Sequence, residues 1–347
     1  MSKTQRNSPR TLTELHAWAK LHQEEILEPE LPIIDPHHHV WHDDRGRYLI
    51  EELSEDISSG HNILATVFVQ TGVNMYRQNA PEALKPVGEV EFVNGIAAMA
   101  ASGRYGPSKL CAGIVGFADL TLGDRVQPVL EALIDAARHR VCGIRHSMSW
   151  DIGHAQMAPH QVRHLALNTE FRKGLSHLDP MGLAFDAWLF HPQLPELYDL
   201  AHAFAQTRFV LNHVGGLLGI APYEGQRDAV FKTWREHMAR LAQLPNITVK
   251  VGGLGMVRCG WDYYLRDTPP GSEELAVAWG PYVETCIELF GADRCMMESN
   301  FPVDKNTCSY PVLWNALKRI TKNYSASEKA LLYRDVAADV YRLGRFD

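Results

Sequence analysis

The run Asp35-Pro36-His37-His38-His39 places two imidazoles two residues apart, directly behind the short apolar stretch Leu31 to Ile34. Such a stretch reads as a buried strand, and Pro36 ends it or at least removes a ladder donor. Alternate residues of a strand share a face, so His37 and His39 point together while His38 turns away. Paired imidazoles at a strand end can ligate a metal ion or move protons to and from a substrate; the bland reading is a His-rich surface loop. Similar groups close the later apolar runs. They are Gln70, then Arg145-His146 in Gly-Ile-Arg-His, then Asp186 followed by His191 and Gln193. Asn212-His213 before Val-Gly-Gly, Lys250 in Val-Lys-Val-Gly-Gly, and Glu298-Ser299-Asn300-Phe301-Pro302-Val303-Asp304 complete the set. Each has a structural alternative. His213 can be a satisfied core histidine, Arg145 can pair with a structural carboxylate, Lys250 can be held by a neighbouring acid, and Asp186 can orient a histidine.

These groups need elements that bring distant segments to one place. Apolar runs occur at Leu31–Ile34, Asn62–Thr71, Leu110–Asp119, Arg140–His146, Gly182–Phe190, Arg208–His213, Asn246–Val251 and Arg294–Glu298. Helical patterns lie between most of them, among them Gly88–Ala101, Val126–His139, Leu194–Gln206, Asp228–Leu244 and Ser272–Phe290. Tyr310–Thr321 and Ser327–Leu343 follow as closing helices. Alternation of this kind makes a parallel α/β fold, and eight units predict a closed (β/α)8 TIM barrel over residues 31–347. Residues 1–30 form an extension, polar to Arg10 and then helical from a cap at Thr13 to about Leu27. That helix either plugs the barrel floor or clasps a neighbouring subunit. In such barrels the site lies at the C-terminal ends of the strands, where the polar residues recur. Trp41, Trp150 and Trp188 would wall a pocket there. The insertions 151–173, with His154, His160 and His164, and Cys259–Gly271 would shape its mouth.

The chain has 347 residues, 46% hydrophobic and 22% charged, with a formal net charge of −7. That charge argues against nucleic acid or an anionic membrane as partner. The six cysteines form no CxxC pair, which fits a reducing cytoplasm. The first ten residues lack the apolar core of a signal peptide, no apolar run is long enough to span a membrane, and no GxGxxG announces a nucleotide cofactor.

Ile-Asp-Pro-His-His-His-Val-Trp at 34–41, Gly-Ile-Arg at 143–145, Leu-Asn-His-Val-Gly-Gly at 211–216, Val-Lys-Val-Gly-Gly at 249–253 and Ser-Asn-Phe-Pro-Val-Asp at 299–304 together resemble the amidohydrolase superfamily. The likeness is to its amidohydrolase-related branch, which includes lactonases acting on 2-pyrone-4,6-dicarboxylate and on fucono- and rhamnonolactone. The resemblance implies a distorted (β/α)8 barrel. It matches His37 and His39 to the first-strand histidine pair and His213 to the histidine ending the sixth strand. Where the family has an acid in Ser-Asp-(Trp/Phe)-Pro, this chain has Asn300. An amide accepts no proton at neutral pH and is a poor metal ligand beside a carboxylate. Asp304 is then the first substitute for the base, with Glu298 and Asp186 behind it; alternatively a histidine activates water and Asn300 only hydrogen-bonds.

The function expected is hydrolysis of a carbonyl substrate, foremost ring-opening of a lactone. His37, His39 and His213 stabilise the oxyanion directly or through one divalent ion such as zinc, with the metal question left open. Arg145 clamps a substrate carboxylate. Lys250, His146, Asp186, His191, Gln193, Gln70 and Trp41 complete the pocket. The partner expected is a small molecule, and the extension suggests a homo-oligomer. A decarboxylase or hydratase of the same superfamily, or a binding protein on this scaffold, are the alternatives; fold alone does not choose among them.

Overall fold

The apolar runs become eight strands: β1 Ile33–His38, β2 Ile63–Val69, β3 Lys109–Gly116, β4 Val141–Ile144, β5 Ala184–Ala187, β6 Phe209–Leu211, β7 Ile247–Val251 and β8 Cys295–Met297. This computed structural model describes residues 10–44, 46–72, 75–153 and 162–346. Residues 154–161 of the mouth insertion, with His154 and His160, and the polar stretch before Arg10 lie outside the described residues. Each strand pairs in parallel with the next in sequence. The last returns to the first through a parallel bridge between His38 and Phe301. There the Asn300 N–H donates to the His37 carbonyl and the His39 N–H to the Phe301 carbonyl, each at 2.8 Å. The architecture is the expected (β/α)8 barrel.

Strand alternation sorts the side chains. One core lies inside the barrel and includes Ile34, Val67, Val69, Ala184, Val210 and Met296. Their neighbours Ile33, Phe68, Phe185, Phe209, Leu211 and Met297 belong to the outer core beneath the helices. Two residues on from an inward apolar residue comes the next inward one. Asp186 follows Ala184, Asn212 follows Val210 and Glu298 follows Met296. Lys250 sits between the outward Val249 and Val251. The barrel is therefore apolar at its base and polar one layer up, at the strands' C-terminal ends.

The base is filled by the chain's end: Val336, Ala337 and Val340 of the helical turn Val336–Val340, with Tyr341, join the inner core. The N-terminal extension does not plug the floor. Its helix, α1 (Leu12–Ala19), is capped by Thr11 and Glu14 rather than by Thr13 and ends well before Leu27. It packs near the rim, where the Trp18 indole donates to the Arg266 carbonyl at 3.0 Å. Beyond it the chain runs as a strap held by two buried side chains of the helix Tyr310–Ile320. Asn315 accepts from the Leu27 N–H and donates to Glu24 and the Glu25 carbonyl, and Lys318 donates to the carbonyls of Leu27 and Glu28. These contacts satisfy the backbone groups that a longer helix would have satisfied internally. A hairpin, Trp41–Asp43 with Gly46–Tyr48, and a helix, Ile50–Ile57, intervene between β1 and β2. No helix among the described residues is long and apolar enough to cross a membrane.

Candidate active site

At the C-terminal end of the barrel, His37, His39, His213 and Glu298 converge from β1, β6 and β8. His37 and His39 share a face, with Nε2 atoms 3.3 Å apart, while His38 turns out to meet Thr66 Oγ1 at 2.9 Å. His213, far away in sequence, packs its ring against His37 with centroids 4.4 Å apart. Glu298 joins the two: Oε1 is 2.7 Å from His213 Nδ1 and Oε2 is 2.9 Å from His37 Nδ1. His39 Nδ1 lies 2.7 Å from the Val69 carbonyl, which fixes its proton there and leaves Nε2 as a bare acceptor.

Backbone geometry makes room for this cluster. His213, Val214, Gly215 and Gly216 all have positive φ, which swings the chain sharply off the end of β6. Gly252 and Gly253 then pass so close that side chains would collide with the site. A Cβ on Gly252 would lie 2.5 Å from Glu298 Cγ, and one on Gly253 would lie 2.4 Å from His213 Nδ1. The two glycines accommodate the site's own side chains.

Beneath and beside the cluster lie two cations. Lys250 Nζ is 2.7 Å from Asp186 Oδ2 and 3.4 Å from His37 Nδ1, with both partners of the ion pair fully buried. Asp186 also accepts from Asn212 Nδ2 at 2.9 Å and from the Tyr341 hydroxyl at 2.9 Å, so its charge is compensated from three sides. Arg145 places Nη1 3.3 Å from His37 Nε2 and donates Nη2 to the Gln70 carbonyl; its buried Nε–H has no hydrogen-bond partner among the described residues.

Burial and these cations set the protonation states. Burial, reinforced by Lys250, His213, His39 and Arg145, holds His37 well below the ordinary imidazole range. His39 is lowered by burial and then Arg145, and His213 by burial, Arg145, Lys250 and Arg258. The three rings are neutral at physiological pH. Burial pushes Glu298 up to about 8 against the pull of Lys250, and Arg145 down to about 10, still a cation at neutral pH.

Asn300 and Asp304 form a separate unit. Asn300 has φ +55, a conformation Asn tolerates better than most residues. Its Nδ2 donates to Asp304 Oδ1 at 2.7 Å, while the Gly255 N–H donates to Asp304 Oδ2 at 2.8 Å. Both oxygens of Asp304 are thus taken, and burial pushes its carboxyl well above the usual range. Asp304 holds Asn300 and the loop after β7. Asp35 clamps the β1–β8 closure, accepting the Ser299 hydroxyl at 2.5 Å and the Tyr310 hydroxyl at 3.0 Å.

The other expected pocket residues are distributed more widely. Trp41 flanks His39, with ring centroids 6.0 Å apart. The Gln70 side chain accepts from the Gly72 N–H at 2.6 Å. Gln193 is consumed by backbone, accepting from Trp150 and Phe190 and donating to the Met148 carbonyl. His191 accepts from the Leu218 N–H and packs on Tyr223; burial lowers it to about 4. His146 sits between Phe117 and Phe171, lowered to about 4 by burial.

The donor set fits a divalent ion of the zinc kind. His37, His213 and Glu298 each offer an atom within 4.8 Å of the others, two neutral imidazoles and a carboxylate being a common zinc-binding combination. Glu298 Oε2 faces His37 Nδ1 at 2.9 Å without hydrogen-bond geometry, and no other described residue bonds to it, so it keeps lone pairs for a cation. On the opposite edge of the His37 ring from Glu298, Nε2 lies 3.3 Å from His39 Nε2, about the separation that two tetrahedral Zn–N bonds require. The sequence offers the three histidines as ligands and Glu298 only as a candidate base, with no clear carboxylate ligand beside the histidines. Glu298 supplies one, and the signal for it was strand parity, two residues on from the inward Met296.

The family model described as Amidohydrolase matches residues 34–343. The uncharacterized protein y4mH of Sinorhizobium fredii is 32% identical over 337 residues, covering 90% of this chain and 99% of that one. The L-fucono-1,5-lactonase of Burkholderia multivorans is 25% identical over 321 residues, covering 89% and 96%. In three dimensions the chain is similar to an amidohydrolase from Burkholderia multivorans solved with bound zinc. The TM-score is 0.70 at 21% identity, over 90% of this chain and 99% of that chain.

Proposed function

Because the chain belongs to the amidohydrolase family, we propose that it is a hydrolase that opens a lactone ring by adding water to the ester carbonyl. The observation that carries this is the Glu298 carboxyl, spanning the Nδ1 atoms of His37 and His213 at 2.9 and 2.7 Å and raised to about 8 by burial. Its curated relative named for lactonase activity supports the choice of ester. His213 holds its Nδ1 proton toward Glu298, so Nε2 is free to take a proton from water as the oxygen adds to the carbonyl carbon. The ionised Glu298 stabilises the imidazolium so formed. The Arg145 Nε–H, which has no hydrogen-bond partner among the described residues, is a donor available to the tetrahedral oxyanion. As the C–O bond to the ring oxygen breaks, His213 returns the proton to that oxygen, giving the hydroxy acid. A divalent ion, when bound, supplies Lewis-acid polarisation of the carbonyl and a more acidic water; His37, His213 and Glu298 would hold it, with His39 beside them.

Ring-opening of a panel of aldonolactones, followed by acid release, tests the reading. The wild type should turn over at least one of them, and His213→Ala should lose on the order of a hundredfold or more in kcat/KM. Undiminished turnover in His213→Ala would sink the assignment.

A further inference from the structure

The N-terminal helix α1 is tied to two loops that adjoin the site. On one flank the Trp18 indole donates to the Arg266 carbonyl at 3.0 Å. Arg10, whose guanidinium carbon lies 4.9 Å from the Trp18 ring centroid, donates to the same carbonyl at 2.9 Å and to that of Tyr264. Both carbonyls belong to the insertion after β7. On the other flank His16 meets Lys305, in the turn Val303–Asn306 after β8. Next to Lys305 is Asp304, which holds Asn300 and the Gly255 N–H, while Thr307 donates to the Gly255 carbonyl at 2.8 Å. Gly255 lies just beyond Gly252 and Gly253, the glycines that pass against Glu298 and His213. A helix outside the barrel thus reaches, through a few side chains, the loops that cradle the site.

Of these ties, the one at His16 is open to a proton. Its Nδ1 is 3.1 Å from Lys305 Nζ and its Nε2 is 3.3 Å from Glu55 Oε2. An ammonium has only donors, so the neutral ring accepts at Nδ1 and carries its hydrogen on Nε2, toward Glu55. A second proton goes onto Nδ1 and sets an N–H of an imidazolium against the ammonium. The opposing gain is attraction of that imidazolium to Glu55. The Glu55 side chain is 51% exposed and already pairs with Lys20 at 2.5 Å, so water and salt weaken its pull. The Lys305 side chain is 2% exposed and is held by Asp56 at 2.7 and 3.0 Å, with the Tyr48 hydroxyl on Asp56 at 2.7 Å. It has no water to turn to. Repulsion from a buried charge outweighs attraction to a screened one, and protonation pushes α1 off the turn.

We infer that α1 is a pH-operated latch. With His16 neutral it clasps the insertion after β7 and the turn after β8; with His16 protonated it lets go and loosens the insertion with it. The latch is independent of the lactonase reading, and so is its test.

Hydrogen exchange of the full chain, read by mass spectrometry and corrected for the intrinsic pH dependence of exchange, is compared at roughly pH 7.5 and roughly pH 5.5. Protection of residues 12–19 and 257–266 should fall together by about tenfold or more, because an opening linked to one proton becomes up to about tenfold easier per pH unit. The barrel strands should keep theirs. His16→Gln, uncharged at any pH and able to accept from Lys305, should stay protected at both values. His16→Arg, charged at both, should be poorly protected at both. Equal wild-type protection at the two pH values overturns the latch, and so does a loss that survives in His16→Gln. A loss confined to residues 12–19 overturns it as well, because the helix would then fray without moving the insertion.

Discussion

Glu298 is a fully buried carboxyl whose two oxygens face two neutral imidazoles. A base is most useful when its pKa lies near the working pH, and burial has moved this one from 4.5 to about 8. Below that value it holds a proton and cannot stabilise the His213 imidazolium. With metal removed by a chelator, kcat/KM should therefore fall as pH drops through about 8. Zinc, which competes with that proton, should move the limb to lower pH. Glu298→Gln keeps the shape and removes the charge, so activity should drop by about 10²–10⁴-fold. A pH–rate series on both proteins is the check, and a Gln variant that keeps the wild-type limb would assign it to another group. Asp304 offers a contrast: it is equally buried, but Asn300 and Gly255 occupy both of its oxygens.

The loop after β7 does as much for the site as any side chain. Gly253 has φ +64 and leaves no space for a Cβ beside His213. Gly253→Ala should displace the imidazole while leaving the barrel assembled, lowering kcat/KM by at least about tenfold, the scale expected when a catalytic group shifts by roughly an ångström. Far-UV circular dichroism should be unchanged; a Gly253→Ala enzyme with full activity would show that the ring can move without cost. The N-terminal strap makes a different kind of element-scale claim. A single side chain, Asn315, meets Glu24 Oε2, the Glu25 carbonyl and the Leu27 N–H. Asn315→Ala strands these groups and should cost about 1–3 kcal/mol, visible as a lower midpoint in urea unfolding. Activity in the absence of urea should persist, because none of the strap contacts reaches the histidine cluster.

For the whole molecule, the buried titratable groups predict where it is most stable. Folding lowers His37, His39 and His213, so the unfolded state binds their protons more readily and stability rises with pH up to about 6.5. Folding raises Glu298, so the native state binds its proton more tightly. That contribution is complete below 4.5 and is lost as pH rises through about 8. The metal-free protein should therefore melt highest near about pH 6.5 and lower on either side. Zinc at about a hundred times its dissociation constant should add about 2.7 kcal/mol, with the largest gain on the alkaline side, where Glu298 is ionised. Glu298→Gln should lose most of that gain. A melting series across pH, with and without zinc, reads all of this; a zinc-induced rise untouched by Glu298→Gln would place the ion elsewhere.

The sequence by itself determined the barrel, the facing of His37 and His39, and the recruitment of His213. These follow from local periodicity, since an apolar run of the right length is a strand and a strand's side chains alternate. The polar layer above the apolar base is also a parity rule, and Glu298 could have been read from Met296 by counting two. Only the tertiary structure decided which of the remaining polar groups meet. Asn300 in a left-handed conformation and the turn that follows it carry Asp304 to Gly255. Arg145 is drawn into the cluster by His37 and the Gln70 carbonyl. Those outcomes depend on backbone turns and on competition for partners across the barrel, and neither is written in the spacing of residues along one strand.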